Sequence, residues 1–82
     1  MNAVQQTIID KMIAHFQAVN QRPCYQTVAI MTDVYGIIGT EDERRAIHWM
    51  RDGKAYSGGF RFDHQYAYAK FYAAFWQQWS AQ

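Results

Sequence analysis

The chain of 82 residues contains one cysteine and one proline, Cys24 and Pro23, side by side. A lone cysteine cannot close an intramolecular disulfide, which excludes the stapled folds of small secreted domains. No positively charged, apolar leader opens the sequence, so a reducing cytoplasm is the expected compartment. Long apolar runs are also missing. The uncharged stretches, such as those between Arg22 and Asp33 and after Lys70, fall short of the roughly 20 residues that cross a bilayer, and no membrane partner is expected. Charge of one sign is scarce as well: 8 Lys and Arg against 7 Asp and Glu leave a net charge of +1. That balance excludes a global basic field, so any contact with nucleic acid has to come from a local patch. Internal repeats, low-complexity tracts and linkers long enough to separate domains are absent, and residues 1–82 read as a single domain.

Residue spacings that mark chemistry are lacking too. His15, His48, His64 and Cys24 fall on different elements, with neither the i, i+4 histidine pair nor the CxxC pair that grips a metal. Gly58 and Gly59 do not belong to a phosphate loop, and Ser, Asp and His occur only as isolated residues with no visible triad. The sequence therefore predicts no catalytic residue, no metal ligand and no cofactor, and the protein is not expected to be an enzyme.

What the chain has in quantity is material for a core: 50% of residues are hydrophobic and 17% aromatic, against 18% charged. From Asn2 to Asn20, the residues Val4, Ile8, Ile9, Met12, Ile13, Phe16 and Val19 recur at helical spacing and predict an amphipathic helix. Pro23, with its fixed φ and missing N–H, marks a linker or a first helical turn. The segment "YQTVAIMTDVYGII" fits both a 3.6 and a 2 period. As a helix, the preferred reading, it presents Val28, Met31, Val34, Tyr35 and Ile38 on one face and ends at a left-handed Gly36 or Gly39. Either reading buries most of it.

Thr40 and Glu43 have the spacing of a capping box at the start of a helix over about 40 to 52. Glu41 and Asp42 suit its positive end, and Arg51 stands ahead of Gly53 at its close. In "KAYSGGFRF", Gly58-Gly59 between short alternating runs predicts a two-residue hairpin that sets Ser57 against Phe60 and Ala55 against Phe62. Asp63 is placed to cap a last helix in which Tyr68, Phe71, Tyr72, Phe75, Trp76 and Trp79 share an arc of about 140°, with Lys70 and Gln77 opposite. The expected fold class is mainly α, with four helices and a short β-hairpin between the third and fourth. Cys24 is expected to be buried beside Pro23, Trp49 to be a partly covered core residue, His15 to lie at the surface, and His64 to belong to a helix start.

Two functional readings follow. On the third helix Ala46, Ile47 and Met50 face inward, which turns Glu41, Arg44, Arg45, His48 and Arg51 outward. Arginine forks of that kind pair with guanine edges or phosphates. The stretch "TVAIMTDVYGIIGTEDERRAIHWMRDGKAYSGGFRFD" resembles the winged helix-turn-helix family of DNA-binding domains, over about residues 4 to 62. The resemblance implies a small transcriptional regulator that lays Arg44, Arg45, His48 and Arg51 in the major groove of duplex DNA, with Lys54 and Arg61 in the wing. The same charge pattern is what a solvated, well-capped helix shows. The second reading is a non-enzymatic interaction module or inhibitor. It binds a cellular protein, or a second copy of the chain in a homodimer, through Tyr72, Trp76 and Trp79 of the aromatic last helix.

Overall fold

The computed structural model describes residues 1–51 and 68–82, Arg51 by its backbone alone. Four helices are described: α1 (Ala3–Ala18), α2 (Tyr25–Ile38), α3 (Glu41–Arg51) and α4 (Ala69–Ser80). Each boundary has a local cause. Asn2 caps α1 through a reciprocal box with Gln5: the Gln5 N–H donates to Asn2 Oδ1 at 2.8 Å and the Asn2 N–H to Gln5 Oε1 at 3.0 Å. At the other end, Asn20 takes φ 52°, the only positive-φ non-glycine residue described. The N–H groups of Asn20 and Gln21 return to the carbonyls of Gln17 and Phe16. This is the Schellman closure, and it consumes two orphan carbonyls.

The segment 25–38 is helical throughout, as preferred on sequence grounds. Cys24, exposed rather than buried, occupies its N-cap, and its N–H donates to Thr27 Oγ1 at 2.9 Å. The predicted left-handed glycine stop is not used. Gly39 is the C-cap with φ −68° and ψ −178°, an extended conformation open to any residue. What requires glycine there is space: a Cβ would lie 2.6 Å from the Tyr35 carbonyl oxygen and about 3 Å from Glu43. The Thr40–Glu43 capping box of α3 forms as expected, with Thr40 N–H to Glu43 Oε1 at 2.8 Å and Glu43 N–H to Thr40 Oγ1 at 3.2 Å.

The core is built on α1, whose Ile8, Ile9, Met12, Ile13 and Phe16 are buried against Val28 of α2, Ala46 and Ile47 of α3, Tyr68 at the N-cap of α4, and Phe71, Tyr72 and Phe75 within it. Phe16 meets Phe75 and Trp79 edge-on, at 6.1 and 6.2 Å between centroids. Val19, expected inside, is exposed at the closing turn of α1. Thr32 is fully buried and donates its hydroxyl proton to the Val28 carbonyl at 2.9 Å.

The winged architecture is corrected. Every element among the described residues is helical and no strand occurs among them, so no wing stands beside α3 among the described residues. The hairpin expected around Gly58-Gly59, with Lys54 and Arg61, and the helix start at Asp63 and His64, lie outside the described residues. The mainly α class is retained. No described helix is long and apolar enough to cross a membrane.

Candidate functional site

Glycine governs how α3 meets α2. The two helices are joined only by Gly39 and Thr40, and Gly36, inside α2, leaves room where a Cβ would come within 3.0 Å of the Ile47 side chain. The close approach brings one flank of α3 under the carboxyl end of α2, where the last carbonyls have no partner inside their own helix. Arg44 Nη1 donates to the Gly39 carbonyl at 2.6 Å, and His48 Nε2 lies 3.2 Å from the Gly36 carbonyl oxygen. Basic side chains are favoured at that negative helix end. Arg45 is engaged differently, with Nη2 2.8 Å from Glu41 Oε1 one turn back.

Of the residues assigned to DNA, Arg44, Arg45 and His48 are therefore all exposed, as expected, and all in use within the chain. Arg51 is described by its backbone only, and Lys54 and Arg61 lie outside the described residues. The exposed Glu41 and Asp42 stand in the first turn of α3, where a groove-bound helix would approach phosphate. The aromatic stripe of α4 divides. Tyr72 is buried, its hydroxyl hydrogen-bonded to that of Thr32, and burial holds its phenol well above the ordinary range. Trp76 and Trp79 are half-buried, Trp76 against Tyr25 edge-on at 5.5 Å and Trp79 against Phe16 and Phe75.

Behind α3 lies a group of ionisable residues that sequence reasoning missed. Glu43, only 4% exposed, accepts from Lys11 Nζ through Oε2 at 2.6 Å, with Tyr35 beside it. Burial opposes ionisation of Glu43, but the Lys11 ammonium and the Thr40 donors outweigh it, so its carboxyl is held below the ordinary range. The hydrogen bond to Glu43 raises Lys11 in turn, against some desolvation. Burial, with the Glu43 charge, raises Tyr35. An acid or base catalyst at neutral pH needs shifts toward neutrality. These shifts move the ion-paired groups the other way and fix both in their charged forms, which makes the pair a clamp between α1 and α3. Among the described residues no group of three or more His, Cys, Asp and Glu gathers as a metal site would require.

The outer surface of α2 departs most from expectation. The helix buries Val28, Ala29 and Thr32, yet Ile30, Ile37 and Ile38 are exposed, the last two at 71% and 75%. Trp49, expected to be partly covered, is 64% exposed, on the flank of α3 that also carries Arg45 and Asp42 at i−4 and i−7. A signal for the α2 surface was present in the sequence. Ile30 and Ile37 stand at i, i+7 spacing on the side opposite Val28 and Thr32, so α2 carries apolar residues on both faces, which a helix covered on one face does not need. Comparison with protein-family models, with curated proteins and with solved structures finds no match, and the likeness to winged helix-turn-helix domains rests on sequence pattern alone.

Proposed function

We propose that this chain is a small non-catalytic protein-interaction module that docks another protein with the carboxyl end of α2. The observation that carries the reading is the exposure of two consecutive isoleucines, Ile37 and Ile38, at 71% and 75%. They stand where α2 turns into α3, on a surface held in place by the Arg44 and His48 contacts. Burying apolar area is worth roughly 25 cal/mol per Å², which a partner gains and the isolated chain forgoes. The half-buried Trp76 and Trp79 serve the core, so the docking surface sits on α2 rather than on the aromatic last helix. The single cysteine supports a reducing compartment such as the cytoplasm as its place of work.

Duplex DNA is the competing target. Engagement of Arg44, Arg45 and His48 within the chain, together with exposed Glu41 and Asp42, favours a protein partner over phosphate. A photo-crosslinking residue at position 37, introduced in cells that make the protein, should capture a partner whose affinity for the purified chain falls in Ile38→Ser. Saturable binding of random duplex DNA at low salt, lost in Arg45→Ala and steeply weakened by salt, would overturn the reading in favour of DNA.

A further inference from the structure

Only Gly39 and Thr40 separate the end of α2 from the start of α3, and the turn they make is crowded. A Cβ on Gly39 would lie 2.6 Å from the Tyr35 carbonyl oxygen and 3.1 Å from Glu43 Cβ, so only glycine fits the closed turn. Short, tight hinges of this kind are where a chain opens and exchanges halves with a second copy. The backbone on either side is matched for opening. The carbonyls of Tyr35, Gly36, Ile37 and Ile38 end α2 and have no partner inside their own helix. Were α2 and α3 to run on as one helix over residues 25–51, the N–H groups of Gly39, Thr40, Glu41 and Asp42 would fall to them in that order. The Arg44 and His48 contacts with the Gly39 and Gly36 carbonyls are what opening gives up. Glycine and an N-capping threonine disfavour the continuous helix and hold the wild type closed.

The core survives such an exchange. Lys11 Nζ meets Glu43 Oε2 at 2.6 Å, the Gln6 and Gln78 amides pair in both directions at 2.6 and 3.0 Å, and Phe16 packs on Phe75. All of these cross from the α1–α2 half of the chain to the α3–α4 half, and each can form between two copies as it forms within one. A dimer made this way is held by the chain's own core, so the exposed face of α2 need not supply the roughly 800 Å² per partner of a stable association. Ile37 and Ile38, the most exposed apolar residues of α2, stand directly before the hinge. In a two-fold exchanged dimer the two hinges run side by side, which sets these isoleucines against their own copies.

We propose that the Gly39–Thr40 turn is a hinge at which two copies exchange their α1–α2 halves, and that Ile37 and Ile38 of one copy cover those of the other in the exchanged dimer. The inference rests on the interaction-module reading and names a second copy of the chain as the partner.

Sedimentation velocity on the full chain compares the wild type with Gly39→Ala and with Thr40→Ala, the milder variant, and circular dichroism confirms that each is folded. Which copy supplies α1 is read from Gln6→Cys and Gln78→Cys in a Cys24→Ser background, joined by a short bis-maleimide and resolved by denaturing electrophoresis. The wild type should run as a monomer that gains a minor dimer when refolded at high concentration. Gly39→Ala crowds the turn and favours the continuous helix in both copies, so it should raise the dimer association constant by at least about tenfold. Thr40→Ala removes the cap that starts α3 and should act in the same direction. Position 6 of one copy should then link to position 78 of the other, and Ile38→Ser added to Gly39→Ala should lower the dimer fraction. Folded hinge variants that stay monomeric at every concentration overturn the inference, as do dimers whose links remain within one chain. An exchanged dimer indifferent to Ile38→Ser overturns the pairing of the isoleucines. None of these results touches the module reading, which falls on the duplex DNA result alone.

Discussion

Lys11 Nζ lies 2.6 Å from Glu43 Oε2, joining the middle of α1 to the first turn of α3, and the same carboxylate accepts the Thr40 N–H through its other oxygen. One buried side chain thus caps a helix and ties that helix to its neighbour. The two partners are unequal, since the Glu43 side chain is 5% exposed and that of Lys11 47%.

That inequality orders three substitutions. Glu43→Gln retains an acceptor for the Thr40 N–H and releases an ammonium already half in water, so it should cost about 1 kcal/mol. Glu43→Ala also removes the cap and should cost about 2–3 kcal/mol. Lys11→Met leaves a buried carboxylate without its cation and should be more destabilising than Glu43→Gln. Urea unfolding checks the order; a Lys11→Met midpoint at or above that of Glu43→Gln would remove the clamp from the account.

The pH dependence has a definite sign. A carboxyl held low in the folded state contributes stability that is present above its unfolded value, near 4.5, and is lost as pH falls through the folded value. Lys11, raised above its usual 10.5, contributes below that value and loses its contribution as pH rises through the folded one. Stability should therefore fall on acidification below about pH 4.5, less steeply in Glu43→Gln than in the wild type. Parallel acid limbs in thermal melts would contradict the assignment.

How much of this was legible in the sequence depends on whether a feature is local. The Thr40–Glu43 box, the outward Arg44 and Arg45 of α3 and the helical arc of α4 each follow from spacing within one element, and the described residues carry them. The Lys11 contact pairs residues 32 positions apart and has no signature in either segment. Ile38 was assigned to the inner face of α2 because its phase is adjacent to that of Val34 and Tyr35. Instead α2 ends there, and at Gly39 the chain turns into α3, leaving Ile38 beyond the reach of the core. Arg44 and His48 were recognised as exposed, but their use as partners for α2 carbonyls depends on the close approach at Gly36 and Gly39. Helical phase predicts which side faces out, not what waits there.

Gly39→Ala tests that approach. The added methyl would sit 2.6 Å from the Tyr35 carbonyl and 3.0 Å from Glu43 Oε1, and the backbone cannot yield without disturbing the cap. Although φ there suits alanine, crowding should cost about 1–3 kcal/mol. Asn20→Gly should do the reverse, relieving a left-handed residue at φ 52° for a gain of up to about 1 kcal/mol. Chemical denaturation of both variants checks the pair: a stabilising Gly39→Ala would mean that the turn has slack.

Trp79→Ala separates a core role for α4 from a dimer role. The indole stacks on Phe75, with centroids 6.4 Å apart and planes 14° from parallel, and meets Phe16 edge-on at 6.2 Å. Because Trp79 is half-buried, its removal should cost about 2–4 kcal/mol, at or below the range for fully buried aromatic truncations. For a domain of this size each kcal/mol lowers Tm by about 4–8 °C. If the ring serves only the core, sedimentation should give the wild type and the folded variant the same mass at the same protein concentration. A variant that keeps its Tm but lowers the mass would move the interface back to the last helix and away from Ile37 and Ile38.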